Sequence, residues 1–290
     1  MKIAALKHYF FSELQPIQEV SEIESFFFIL IEYLHKLQRI DVSLNPDFDV
    51  SETDLEKWIT IISDLKTEKP IQYITGEAWF YGYRFEVNEN TLIPRPETEE
   101  LVEWIIESQK SKVENLTIQK SNNLIILDIG TGSGCIPISL KKEIPNALVS
   151  ALDVSEKALE MARKNAVSNE VEVHFILQNI LETESLLEKY EIIVSNPPYV
   201  RNLEKQEIKK NVLAYEPHLA LFVEDSDALL FYRKIAQLAL TSLTPNGKLF
   251  FEINQYLGKE TVALLENLGF KTVELRKDFM GNDRMICAAP

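Results

Sequence analysis

From Leu124 onward the chain alternates short apolar runs with amphipathic stretches, and this restricts the fold more than any other feature of the sequence. Strands are predicted at 124–128, 148–152, 171–176, 191–195 and 248–253, with helices near 135–142, 155–168, 226–242 and 257–268. Two further strands, 271–276 and 284–288, close the chain. Runs such as Leu124-Ile125-Ile126-Leu127 are apolar on both sides, so they suit strands covered on both faces. Strand–helix repetition of this kind predicts an α/β fold with a mostly parallel sheet between helical layers.

Residues 1–75 follow a different pattern. Apolar residues recur at three- and four-residue spacing through Phe10–Leu14, Ile23–Leu37 and Leu55–Leu65, which predicts helices. Asn45-Pro46-Asp47 marks a turn, and Ser51 with Asp54 resembles a capping arrangement at a helix start. Phe26-Phe27-Phe28 reads as core packing, and nothing in this region looks chemical. Between 76 and 92 the composition shifts to aromatic and β-branched residues around Gly82 and Asn88, the pattern of a hairpin linking the two parts. The expected division is therefore a helical domain at 1–75, a hairpin at 76–92 and the α/β domain at 93–290. A helix is expected from Glu97 to Ser108 after Pro94-Arg95-Pro96, and the polar stretch 110–123 is expected to be exposed.

Charge narrows the partners. Acidic residues outnumber basic ones by 45 to 30, for a formal charge of −15. A protein that tracks nucleic acid needs a Lys- and Arg-rich face to displace counterions, so broad phosphate-backbone binding is not expected. An acidic surface suits a basic protein partner instead. Cys135 and Cys287 lie far apart without a CxxC pair, which gives neither a disulfide framework nor a thiolate metal site. The start has no signal-peptide pattern, and the greasiest run, Phe26 to Leu34, is too short for a membrane span. These features predict a cytoplasmic protein with no membrane partner.

The first predicted strand runs through Asp128 into Ile129-Gly130-Thr131-Gly132-Ser133-Gly134. Glycines allow a sharp turn and let a ligand approach unobstructed backbone N–H groups. The spacing is GxGxG, and Cys135 stands where a dinucleotide GxGxxG loop needs its third glycine, which argues against NAD. Asp153 ends the second strand, where a carboxylate can accept hydrogen bonds from both hydroxyls of a ribose. Its plainer alternative is to cap the following helix. Gln178-Asn179-Ile180, at the third strand end, is placed to meet an adenine edge.

The fourth strand ends in Asn196-Pro197-Pro198-Tyr199. Taken alone, the prolines are a rigid strand terminator. Beside a nucleoside crevice they acquire a second meaning. An amide nitrogen is planar and weakly nucleophilic because its lone pair is delocalised. A site that makes it react should grip both N–H groups and stabilise the positive charge that grows on nitrogen. The Asn196 side-chain oxygen and the Pro197 carbonyl are two stiffly held acceptors, and Tyr199 offers a flat face for stacking. No histidine or carboxylate base is required; His174 and His218 are expected to be structural.

Five segments carry a resemblance: Thr91-Leu92-Ile93-Pro94-Arg95-Pro96-Glu97-Thr98-Glu99, the Asp128–Gly134 loop, Ser195–Tyr199, Tyr215-Glu216-Pro217 and Asn282-Asp283-Arg284. Together they resemble the class I methyltransferases, and more narrowly the HemK family of glutamine methyltransferases. The resemblance covers the chain from about Gln72. It implies a Rossmann-like seven-stranded sheet with a reversed last strand and a small N-terminal helical domain that docks a peptide chain release factor. It further implies methyl transfer from S-adenosylmethionine to the glutamine of a Gly-Gly-Gln loop; a monomer is expected. Gly130, Thr131, Gly132, Ser133, Gly134, Asp153, Asn179, Ile180 and Asn196 would meet the cofactor. Asn196, Pro197, Pro198 and Tyr199 would hold the glutamine amide, with Asn196, Pro197 and Tyr199 catalytic. The chain departs from the family pattern in two places: Asn179 stands where many relatives have aspartate, and Phe251-Glu252-Ile253-Asn254, with Asn254 at its end, replaces a more usual Glu-then-glycine ending of the fifth strand. The competing readings are a glutamine methyltransferase of a ribosomal protein and an N6-adenine methyltransferase of nucleic acid, which faces the same conjugated nitrogen. A binding module that only kept the fold would have little reason to retain an intact Asn-Pro-Pro-Tyr beside an intact glycine loop.

Overall fold

The computed structural model describes residues 1–113 and 124–290. It divides into two compact units, Met1–Gly76 with Lys210–Tyr215, and Glu77–Lys209 with Glu216–Pro290.

The first unit is helical. Helices Ile3–Leu14, Val20–His35 and Glu52–Lys66 are joined by the shorter Arg39–Leu44 and Ile71–Thr75, which the periodicity did not mark out. Ser51 caps the third long helix by accepting from the Asp54 N–H at 3.0 Å, as its sequence suggested. Of the Phe26-Phe27-Phe28 run only Phe27 is fully buried, because helical spacing turns its neighbours outward. It packs with Phe10 and Trp58 at ring separations of 5.5–5.7 Å. The Trp58 indole N–H donates to His35 Nε2 at 3.0 Å, so the one polar atom of that ring is satisfied inside the core. Lys210–Tyr215 belongs to this unit, and the Tyr215 hydroxyl donates to the Thr67 carbonyl at 3.1 Å.

The second unit opens with the expected hairpin, Glu77–Phe80 paired antiparallel with Tyr83–Glu86. Tyr81 and Gly82 form its two-residue turn with φ of 51° and 77°, the left-handed pair that matches strand twist. The backbone N–H of Tyr81 is held at 3.0 Å by Glu99.

A seven-stranded sheet follows. Its strands are β1 (Ile125–Ile129), β2 (Leu148–Asp153), β3 (His174–Leu177), β4 (Tyr190–Ser195), β5 (Leu243–Glu252), β6 (Thr272–Lys277) and β7 (Asp283–Ala289). They lie in the order β6-β7-β5-β4-β1-β2-β3. The first five run parallel and β7 is antiparallel to both neighbours. Successive residues point to opposite faces. Ile126, Ile192, Val194 and Phe250 meet helices Pro96–Val113 and Cys135–Glu143 on one face. Leu127, Ile129, Ile193, Leu249 and Phe251 meet helices Leu230–Ser242 and Gly258–Leu268 on the other.

The strand expected at 171–176 is shorter, His174–Leu177, and three other boundary differences change how a segment is read. Helix Pro96–Val113 runs beyond Ser108, so the stretch 110–123 begins inside a helix, and its remainder lies outside the described residues. The helix expected from 226 begins at Leu230, since Asp225–Asp227 forms a separate 3-10 turn held by Arg233 through two contacts to Asp227. β5 starts at Leu243 and absorbs the turn-like Thr244-Pro245-Asn246-Gly247 through an irregular pairing with β4. Gly247 permits this, because a Cβ there would lie 2.8 Å from the Tyr190 carbonyl.

Candidate active site

Parallel strands present their carboxyl ends together, and ligands of open α/β sheets bind in the crevice outside those ends. Here β1, β2, β4 and β5 deliver Gly130, Asp153, Asn196 and Glu252 to one edge. Ile129 and Ser195 are register partners, so the glycine loop and the Asn-Pro-Pro-Tyr segment leave the sheet side by side. The Ser195 hydroxyl donates to the Ile129 carbonyl at 2.6 Å and locks the two exits together.

The loop after β1 is a chain of backbone commitments. Gly130 and Thr131 donate their N–H groups to the Leu152 carbonyl at 2.8 and 3.1 Å, and Gly134 donates to Thr131 at 2.9 Å. Gly130, Gly132 and Gly134 all have positive φ, of 79°, 54° and 82°, which accounts for the GxGxG spacing. Gly134 is also a packing residue. A Cβ there would sit 3.0 Å from Ile138 Cδ1 and 3.1 Å from Ala162 Cβ on helix Glu156–Ser168. Gly134→Ala is therefore expected to destabilise the fold by about 1–3 kcal/mol, which thermal denaturation reads.

Asp153 holds this loop from β2. One carboxylate oxygen accepts from the Gly132 N–H at 2.9 Å and the other from the Ser155 N–H at 2.9 Å. Burial raises its pKa, and these N–H donors oppose the rise. Each oxygen keeps a further lone pair for a ligand hydroxyl. Ser155, not Asp153, supplies the helix cap, accepting from Ala158 at 3.2 Å. Asn179 starts the short turn Ile180–Glu182, where its side chain accepts from the Leu181 N–H and donates to Glu182. That side chain is committed locally, beside the buried Ile180.

Asp128 has an environment of its own. It is fully buried, neither carboxylate oxygen has a hydrogen-bond partner of good geometry, and the Thr131 hydroxyl beside it is likewise unmatched. Burial pushes its pKa up to about 7, with the Asp153 charge adding to the rise and the nearby Thr131 hydroxyl opposing it.

On the other side of the crevice, Asn196 Nδ2 donates to the Thr98 hydroxyl at 3.3 Å, and Thr98 donates to Glu252 Oε2 at 2.6 Å. The Tyr199 hydroxyl donates to Glu252 Oε1 at 3.0 Å. This draws the phenol end of Tyr199 inward and pushes its pKa far up, through burial and the Glu252 charge. Burial also raises the pKa of Glu252, countered by the Thr98 hydroxyl and the Arg284 charge. Asn254, one of the two departures from the family pattern, donates to the Tyr199 carbonyl at 3.0 Å and to Glu204 at 2.8 Å. It ties down the segment after Tyr199. Arg95 pairs with the buried Glu216 at 2.6 Å, and Glu216 also accepts from the Ile93 N–H, so the Pro-Arg-Pro and Tyr-Glu-Pro segments meet.

Residues 10–76 match the family model described as PrmC N-terminal domain, and residues 111–219 match Methyltransferase small domain. A release factor glutamine methyltransferase of Flavobacterium psychrophilum is 61% identical over 99% of this chain and 98% of its own. A protein of the same name from Streptococcus pneumoniae is 41% identical over 99% and 98%. The chain belongs to the release factor glutamine methyltransferase family. Among solved structures, the hMettl16 catalytic domain in complex with an RNA hairpin matches with a TM-score of 0.52 at 16% identity, covering 82% of each chain. That likeness concerns the fold alone, a class I methyltransferase sheet.

Within this family framework, Thr98, Glu252 and Asp128 are the polar residues to which the sequence reading gave no role. A signal for Glu252 was present: a lone carboxylate ends the apolar run Leu249-Phe250-Phe251 at a strand's carboxyl end. Thr98 lies in the Thr91–Glu99 segment of the resemblance, but nothing local tied it to 196 or 252, which are remote in sequence.

Proposed function

We propose that the chain transfers a methyl group from S-adenosylmethionine to the side-chain amide nitrogen of a glutamine, N5, in the Gly-Gly-Gln motif of peptide chain release factors. The observation that carries the substrate is the 61% identity to a release factor glutamine methyltransferase, which extends over both units rather than the α/β unit alone. The relatives' names favour this over a ribosomal protein or a nucleic-acid adenine as target. The site residues fit the cofactor. A loop with open space at Gly130 and Gly132, an Asp153 carboxylate with spare lone pairs and an unpaired buried Asp128 suit a nucleoside that carries positive charge.

When bound, S-adenosylmethionine supplies a methyl group on a positively charged sulfur. The chain's own residues do the rest. The Gly130–Gly134 loop and Asp153 seat the nucleoside, with Asn179 and Ile180 beside the base. Asn196 Oδ1 and the Pro197 carbonyl accept the two N–H groups of the glutamine amide, so its nitrogen is aimed and the charge that develops there is stabilised. Pro197 and Pro198 stiffen the two acceptors, and the Tyr199 ring lies against the amide plane. The helical unit, expected at 1–75, recognises the release factor. The protein acts as a cytoplasmic monomer, without direct nucleic-acid or membrane partners; among the described residues no helix is long and apolar enough to cross a membrane.

Incubation with labelled S-adenosylmethionine and a purified release factor is expected to place the label on the Gly-Gly-Gln glutamine by mass spectrometry. A Gln→Asn substrate is expected to remain unlabelled. Label appearing in a ribosomal protein, RNA or DNA instead would overturn the assignment.

A further inference from the structure

An asparagine side chain has two ends of nearly equal shape and opposite hydrogen-bond character. Only the oxygen end can accept an N–H from a substrate amide; the NH2 end would meet it donor to donor. Something in the protein must decide which end faces the crevice, and the polar chain behind Asn196 has that capacity. Glu252 is buried at 1% exposure and Thr98 at 3%. The two Glu252 oxygens face the hydroxyls of Thr98 at 2.6 Å and Tyr199 at 3.0 Å, with the Arg284 charge nearby. In its ionised form, which the Arg284 charge and the two hydroxyl donors favour against burial, Glu252 can only accept, so the single Thr98 proton is committed to it. The Thr98 oxygen can then meet Asn196 only as an acceptor, which requires Nδ2 to face it, as it does at 3.3 Å. Oδ1 is left on the opposite side, and no described residue donates to it.

We propose that Glu252 and Thr98 are positioning residues: acting as a one-way proton-donor chain, they fix the Asn196 amide with its oxygen toward the substrate nitrogen. This rests on the reading of Asn196 as an acceptor for the glutamine amide and adds what enforces it. The geometry also explains why Thr98 sits in the first turn of a helix begun by Pro96. Pro96 fixes the start of the helix, and the first turn carries Thr98 to the ends of β4 and β5. A valine at 98 keeps the shape and removes the acceptor. A glutamine at 252 can donate to Thr98, release the threonine proton toward Asn196 and let the amide turn around.

The test measures kcat and KM with a release factor, cofactor Kd by calorimetry, and Tm. Thr98→Val is expected to lower kcat about tenfold or more with cofactor Kd and Tm little changed, and Thr98→Ser, which restores the hydroxyl, to recover it. Glu252→Gln is expected to lower kcat similarly; should that variant fold poorly, Thr98→Val decides alone. In an Asn196→Ala background Thr98→Val is expected to cost nothing further, because the two act through one contact. Wild-type kcat in Thr98→Val, failure of serine to recover the loss, or a full additional loss in the Asn196→Ala background would each overturn the inference. An Asn196→Ala enzyme with normal turnover would instead remove the acceptor reading beneath it, and the two failures are told apart by that single variant.

Discussion

Asn196→Ala is expected to lower turnover by about a hundredfold to a thousandfold while cofactor affinity stays within about threefold of the native enzyme. The asymmetry follows from when the contact matters. In the ground state the glutamine nitrogen is close to neutral, and a hydrogen bond to Asn196 Oδ1 contributes little more than one to water. As the methyl group arrives, nitrogen loses its conjugation and its N–H groups become acidic, so an oxygen already held in place stabilises the transition state preferentially. Asn196 stands at the end of β4, beside the glycine loop but with its amide directed at Thr98 rather than at the loop. Single-turnover kinetics with a release factor and calorimetry with S-adenosylmethionine separate the two quantities. Equal losses in both would assign Asn196 to cofactor binding instead.

The fold was legible because its signals are local. Strand β1 is an apolar run broken only by Asp128, the glycine loop follows it directly, and Pro197-Pro198 ends β4, so each part of the crevice carried its own mark in the sequence. Even the hairpin turn at Tyr81-Gly82 was approached through its glycine. The polar wiring of the site was not legible, for a physical reason. Thr98, Asn196 and Glu252 lie 98 and 56 positions apart and meet only because three elements share one edge of the sheet. Asn254 shows the same limit from another side. A departure from the family pattern could be noted, but its two donated hydrogen bonds, to the Tyr199 carbonyl and Glu204, depend on a segment that folds back some fifty residues earlier in the chain. Asp153's position alone left it undecided between ribose and helix cap; it holds the Gly132 and Ser155 N–H groups while Ser155 takes the cap.

Asp128→Asn is expected to stabilise the ligand-free protein and to cripple its cofactor site at the same time. Asp128 is fully buried without a hydrogen-bond partner of good geometry, and its pKa stands at about 7, first because of burial and then because of Asp153. In the unfolded chain the same carboxyl ionises near its ordinary value of 3.8. The folded state therefore holds a proton that the unfolded state has released, and stability is lost as pH rises from about 4 to about 7. Asparagine removes that cost, so its advantage should be largest above pH 7, a few degrees in Tm or on the order of 2 kcal/mol, and should shrink toward pH 4. Binding reverses the ranking. A positively charged ligand lodged over the Gly130–Gly134 loop favours the ionised carboxylate, so native affinity should rise about tenfold per pH unit below about 7 and level off above it. The asparagine variant should bind at least about tenfold more weakly at pH 8 and show no such slope. Calorimetric titration with S-adenosylmethionine across pH 6 to 8 measures both; a variant with native affinity, or with the native slope, would mean that Asp128 does not answer the ligand's charge. Behind both halves of the prediction is one unpaired charge, which destabilises the empty fold and favours the ligand that can neutralise it.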